Sequence, residues 1–343
     1  MRMAFWNKKT EETHSHGPAE LVGVDFASTG LKVVRVRKHN EEIVVNGVAL
    51  LPAPPPPGKR DKNTTLSLPK ALTTNYAALA CSGKNAVVRL LSIAGHADTS
   101  EAIEEHIREH VGITEGHRVG YSLTNPSRGK TDTKVLVVSL PEEEAEGMLS
   151  LVATGAPAPR SLEISGLAAM HVFTRGPGRQ HAQEAVGLIE AGAQVTVLSL
   201  FNKGILSLVR KFEFGSDALL NKVQQQLNVS AEIAQGIMSD GSFDISQSVH
   251  ETMDPFLRQA SISKDFIERR EECHLGTIYL SGGLSLLRYW GEAIQTATGV
   301  ETRAWNPFDG MTMAADAFPA DLDGQQTRFT AALGACLGEF DAT

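Results

Sequence analysis

Cysteine is scarce. Only Cys81, Cys273 and Cys336 occur in 343 residues, far apart and with no C-x-x-C pair, so neither a disulfide framework nor a cysteine zinc cage is available and a reducing compartment is the natural reading. No apolar stretch approaches the roughly 18 residues of a membrane-spanning helix. The N-terminus has no apolar core of a secretory signal, so a cytoplasmic chain is expected. Basic residues are outnumbered, 32 Lys and Arg against 40 Asp and Glu for a net charge of −8, which argues against nucleic acid as a partner. Familiar catalytic signatures are missing as well. No G-x-G-x-x-G follows a strand and no G-x-S-x-G elbow occurs, and Gly129-Lys130-Thr131 has Thr124 where a phosphate loop needs its leading glycine. The eleven histidines include His106 and His110 on one helix face and His14 and His16 near the start. Without a further pattern of ligands they read as solvated side chains.

What remains is the composition of an ordinary folded protein, with 42% hydrophobic and 21% charged residues. The length fits two domains. Residues 1–19 are polar and read as a frayed tail, with Phe5, Trp6, Lys8 and Lys9 too short a patch to argue for a membrane surface. Leu21-Val22-Gly23-Val24-Asp25-Phe26 is a buried-strand run, and Leu31-Lys32-Val33-Val34-Arg35-Val36 alternates beyond a small-residue turn, which predicts a hairpin. A third strand over 42–51 ends in Pro52-Ala53-Pro54-Pro55-Pro56-Pro57-Gly58, an exposed connector.

Proline in the first turn and Gly83 past the end predict a helix over 69–81. A separate α+β unit of strands over 85–93, 119–123 and 134–140 and helices over 100–111 and 141–153 is expected within 84–160. Ile103, Ile107 and Val111 share the buried face of the helix 100–111, leaving Glu101, Glu104, Glu105 and Arg108 to solvent. A short strand over 160–164 leads into a helix over 165–173. The opening pattern then returns. Val186-Gly187-Leu188-Ile189-Glu190-Ala191-Gly192-Ala193-Gln194-Val195-Thr196-Val197 is again apolar strand, acid, small-residue turn and strand, with Glu190 at the position of Asp25 and Gly192 at that of Ala27. A duplicated domain follows. Further on come a strand over 204–214, a helix over 216–227, a largely helical stretch over 230–270, and a buried strand over 275–280 that ends in Ser281-Gly282-Gly283 and a new helix. The chain closes on a core helix over 325–340, striped by Phe329, Leu333, Cys336, Leu337 and Phe340.

Three turns carry candidate chemistry: 25–30, 190–194 and 281–283. An acid at a strand end beside exposed backbone N–H groups can hold Mg²⁺ through water while amides and hydroxyls receive phosphate oxygens, and Asp25 with Ser28 and Thr29 has that composition. Gly282-Gly283 would let the backbone approach a flat ring closely. Each turn alone is weak; their order is specific.

In that order the sequence resembles the actin-like ATPase superfamily: an α/β, ribonuclease H-like, duplicated two-lobe fold. Within it the chain is similar to the PilM family of type IV pilus assembly proteins, related to FtsA. The resemblance rests on 22–34, on Phe212-Glu213-Phe214-Gly215-Ser216-Asp217, on Ile278-Tyr279-Leu280-Ser281-Gly282-Gly283-Leu284 and on Ala332-Leu333-Gly334-Ala335-Cys336-Leu337. It implies a first lobe over 20–185 carrying an inserted subdomain at 84–160. A second lobe over 186–324 would contain a helical subdomain at 216–273, with a C-terminal helix over 325–343 packing back. It also implies ATP with Mg²⁺ in a cleft between the lobes. By carry-over Asp25 organises Mg²⁺, Ser28 and Thr29 face phosphates and Lys32 supports the first loop. Glu190, Gly192 and Gln194 line the second loop, while Gly215, Gly282, Gly283 and Leu284 border the nucleoside. The implied role is a cytoplasmic scaffold that docks the N-terminal cytoplasmic tail of a PilN-like inner-membrane protein beside the insert, touches other platform and motor proteins, and has room for self-association.

Departures temper the enzymatic side. Ala27 stands where the family has glycine and Glu190 where it has aspartate, Ala193, Gln194 and Val195 replace hydroxyls, and Ser216 replaces the second glycine of Gly-Gly-Asp. These weaken hydrolysis more than binding, which predicts a slow, degenerate or inactive ATPase. The alternatives are an FtsA-like or type II secretion component and, further off, a small-molecule kinase of the same superfamily, which would be expected to carry a clustered Cys–His zinc motif absent here.

Overall fold

The computed structural model describes residues 17–55, 65–93, 100–111, 115–125, 133–152, 155–240 and 246–342. The reading of a frayed tail with Phe5, Trp6, Lys8 and Lys9 falls mostly outside the described residues. So do His14, His16, Pro56-Pro57-Gly58 and the Gly129-Lys130-Thr131 loop. The chain divides into two compact units: residues 1–172, 308–323 and 331–343 form one, and 173–307 with 324–330 the other.

The first unit begins as an antiparallel meander, β1 (Glu20–Ala27), β2 (Gly30–His39) and β3 (Glu42–Leu51). β1 is buried on both faces over Leu21–Phe26, hence a run that is apolar except for Asp25. The helix expected over 69–81 is not there. Lys70–Leu72 is a single 3₁₀ turn, and Tyr76–Cys81 is a strand, β4, parallel to β1. Its Tyr-Ala-Ala-Leu-Ala-Cys sequence favours a helix intrinsically, but five of its six residues are buried in the sheet, and burial between neighbours overrides propensity.

A separate three-stranded sheet, β5-β7-β6, follows. It consists of β5 (Val87–Ile93), α1 (Ser100–Val111), β6 (His117–Asn125), β7 (Thr133–Pro141) and α2 (Glu142–Leu149). Ile103 and Ile107 of α1 pack with Ile93, Val135 and Val137 of this sheet, as the i, i+4 spacing predicts. α2 starts with three glutamates in its first turn, where the helix dipole favours them, and Arg118 forms a forked pair with Glu142. The chain then re-enters the large sheet as β8 (Ala158–Ile164), parallel to β4, and continues into α3 (Ser165–Arg175).

The second unit repeats the plan. After α4 (Pro177–Gln180) come β9 (Ala185–Ala191), β10 (Thr196–Asn202) and β11 (Ile205–Phe212), antiparallel neighbours. Three helices follow, α5 (Ser216–Leu227), α6 (Ala231–Asp240) and α7 (Ser246–Glu271). β12 (Leu275–Ser281) inserts parallel to β9; a 3₁₀ turn at Gly283–Leu286, α8 (Arg288–Thr298) and β13 (Glu301–Ala304) complete the unit. Phe214, Phe256 and Trp290 stack within the apolar core that joins these helices to the sheet. Finally β14 (Thr312–Met313) pairs with β3, and α9 (Thr330–Ala342) closes the chain.

The strand orders are β3-β2-β1-β4-β8 and β11-β10-β9-β12-β13, with the same sense at every pairing. This is the duplicated actin-like fold. α9 is buried on all sides from Ala331 to Phe340. Small residues make that fit possible: a Cβ on Gly23 of β1 would overlap the Ala332 carbonyl, and one on Gly334 would overlap that of Ala168 in α3. The buried side chains of Leu333, Leu337 and Phe340 contribute about 2 kcal/mol each to holding the helix there.

Candidate functional site

β1 and β2 are joined by the two-residue turn Ser28-Thr29, closed by the pairing of Ala27 with Gly30. Gly30 has φ +121°, and a Cβ there would come within 2.8 Å of the Leu51 carbonyl oxygen, so only glycine fits. Ala27 is regular strand with no positive φ, so its methyl imposes no strain on the backbone. Two positions into the strands, Asp25 and Lys32 lie opposite each other, 6% and 7% exposed.

Lys32 Nζ donates to Thr29 Oγ1 at 3.1 Å, and Ser165 Oγ, at the first residue of α3, donates to Asp25 Oδ1 at 2.5 Å. Burial pushes the Asp25 carboxyl above its usual range, while the Lys32 charge and the Ser165 hydroxyl pull it back. Ser28 and Thr29 are exposed at the turn. The structure therefore brings Asp25, Thr29 and Lys32 together and adds Ser165. A serine at a strand-to-helix junction is the only sequence sign of that addition.

The second hairpin has the same register. Gly192 N–H donates to the Val195 carbonyl at 3.0 Å, so Ala193-Gln194 takes the place of Ser28-Thr29, and Glu190 lies opposite Val197 as Asp25 lies opposite Lys32. The carboxylate recurs, 6% exposed, while the cross-strand cation does not. The carbonyls of Gly192 and Ala193 accept the first amides of α5, from Ser216 at 3.1 Å and Asp217 at 2.9 Å. Thr196 Oγ1 donates to the Phe214 carbonyl at 2.8 Å. A Cβ on Gly215 would strike the Ala193 backbone, so this glycine serves the close approach of loop and helix. The positive end of α5 is thereby spent on the loop's own carbonyls. Gly192 and Gln194 are half-buried.

At the third turn Gly282 has φ +83°, and its N–H donates to the Thr327 carbonyl at 3.1 Å. A Cβ there would come within 2.8 Å of Glu190 Oε1, which places the third turn against the second hairpin's carboxylate. Hydroxyls tie the turn down. Ser285 Oγ reaches the Gly282 carbonyl at 2.6 Å and Thr327 Oγ1 at 2.8 Å, and Ser281 Oγ donates to Thr330 Oγ1 at 2.6 Å. Gly283 is exposed with open space where a Cβ would sit. Leu284 is fully buried in the apolar core, so its side chain faces no ligand.

The expected new helix does not start at the glycines: a 3₁₀ turn intervenes and α8 begins at Arg288. The dipole of α8 thus does not begin at the glycines. Thr327 and Thr330 were not legible as partners, since they lie in a 3₁₀ turn and a helix start far along the chain.

A family model described as Type IV pilus assembly protein PilM matches residues 125–340. The solved PilM-PilN type IV pilus biogenesis complex contains a chain 18% identical to this one, with a TM-score of 0.79 over 94% of this chain and 99% of that one. The ethanolamine utilization protein EutJ from Carboxydothermus hydrogenoformans is 14% identical, with a TM-score of 0.50 over 93% of this chain and 90% of its own. At these identities the two structures speak for the fold. Among the described residues no helix is long and apolar enough to cross a membrane.

Proposed function

Because this chain belongs to the family of the type IV pilus assembly protein PilM, we propose that it serves pilus assembly as an ATP-binding, actin-like scaffold. It would be cytoplasmic and peripheral to the inner membrane through a PilN-like partner. The observation that carries the nucleotide reading is the first turn, where a buried carboxylate, a buried ammonium and two exposed hydroxyls converge within eight residues of chain. Asp25 would hold Mg²⁺ through water, and Ser165 fixes one of its oxygens. Lys32, Ser28 and Thr29 would receive phosphate oxygens, the lysine as a point charge.

Magnesium, when bound, supplies positive charge that keeps Asp25 ionised despite its burial. Gly283, with free space around it, suits backbone approach by the nucleoside. Hydrolysis is a different matter. Ala193, Gln194 and Val195 offer no hydroxyl to orient a water, and Glu190 carries its carboxylate one methylene further out than aspartate would. Loss of that orientation costs orders of magnitude in rate, which supports slow or absent turnover.

The likeness in fold to the PilM-PilN complex supports a PilN-like partner. We place its cytoplasmic N-terminal peptide beside the inserted subdomain over 84–160. Calorimetric titration with ATP, with and without Mg²⁺, tests the first part. Magnesium-dependent binding that Asp25→Ala weakens at least about tenfold is the expected result, and no heat at millimolar ATP overturns it. Titration with the partner's tail peptide tests the second part, and a chain that binds ATP but not the peptide would refute the scaffold reading alone.

A further inference from the structure

Read as sequence, His106 and His110 lack further ligands. The structure supplies one. On α1 the side chains of His106, Glu109 and His110 stand at i, i+3 and i+4, and one donor atom from each lies within 4.8 Å of the other two. The imidazoles stack with centroids 3.9 Å apart. His110 Nδ1 lies 3.0 Å from the His106 carbonyl oxygen. A carbonyl only accepts, so in the neutral ring Nδ1 carries the proton and Nε2 keeps its lone pair. That backbone contact is what fixes the tautomer of a metal-ligating histidine.

The mount is firm, because Ile103 and Ile107 of the same helix are 4% and 2% exposed in the core of the small sheet. Glu109 and His110 are solvent-exposed and His106 half-buried, so an ion has access. Two imidazoles and a carboxylate are the donor set of open zinc sites, whereas Mg²⁺ and Ca²⁺ take oxygen ligands. Zinc bonds of about 2.0–2.1 Å in a tetrahedron require donors about 3.3 Å apart, a rotamer adjustment from the spacing seen. We propose that His106, Glu109 and His110 form a zinc site on α1, with solvent completing the coordination.

Calorimetric titration of the full chain with zinc chloride in excess Mg²⁺ tests this. Saturable binding of a single zinc per chain is expected, weakened in His106→Ala and in His110→Ala by more than the roughly 10- to 100-fold that loss of an outer-shell partner alone produces. Glu109→Gln, which keeps the size of the side chain, should also weaken it. A His14→Ala, His16→Ala double variant should bind as the parent does. Circular dichroism melts that match the parent show each variant folded. Absence of saturable binding, undiminished binding by the His106→Ala, His110→Ala double variant, or loss of binding in the His14→Ala, His16→Ala chain would each overturn the assignment.

Discussion

Asp25 and Lys32 are cross-strand partners in the first hairpin, buried together two positions below its turn. The lysine only partly offsets the desolvation of the carboxyl, which stays above its ordinary value of 3.8. A carboxyl whose folded pKa exceeds its unfolded one binds its proton more tightly in the folded state. Its contribution is therefore complete below the unfolded value and falls as pH rises through the folded pKa. Asp25→Asn should flatten that decline and raise stability at neutral pH, read from urea unfolding across the acid range. The same variant should lose magnesium-dependent ATP binding. Ser165→Ala acts oppositely: it withdraws the hydroxyl that favours the ionised form, so stability at neutral pH should drop by about 1 kcal/mol.

The two adjacent glycines of the third turn should part company. Gly282→Ala forces a side chain onto φ +83° and places its Cβ within 2.7 Å of the Ala191 carbonyl carbon, so a loss of about 3 kcal/mol or more is expected in a thermal melt. Gly283→Ala meets nothing and should melt with the parent. Any fall in ATP affinity in that variant then reports the nucleoside's approach alone.

Thiol chemistry should single out one residue. Burial drives all three thiols upward, at Cys273 with help from Glu271 and Glu268, but Cys81 and Cys336 are completely buried whereas Cys273 is half-exposed and open to reagent. Mass spectrometry after brief iodoacetamide treatment should find Cys273 modified first, with the other two labelled only on unfolding.

Both hairpins were legible in the sequence, because an acid at the end of an apolar strand, a two-residue turn and a returning alternation repeat at matched spacing. The equivalence of Glu190 with Asp25 and of Gly192 with Ala27 holds in the pairing register itself. β4 was not legible. Its alanines carry a helical preference that only the neighbouring strands reverse. Ser165, Thr327 and Thr330 carry no sequence signal for a related reason: each meets its partner through tertiary folding, and a lone hydroxyl has no periodicity. The glycine pair marks a turn in sequence and structure alike, but the short 3₁₀ segment after it has no signal that separates it from a helix start.

α9 and β1 have a consequence in time. During synthesis the first meander leaves the ribosome with Gly23 facing an empty slot, and that slot is filled only when Ala332 arrives, after every strand and helix from β9 to β13 has been made. The unit that begins the chain is thus the one that must wait, holding an unfinished apolar surface, while the later one can assemble from a nearly continuous stretch. Maturation should therefore run against the order of translation, and a stalled nascent chain would expose β1 to chaperones.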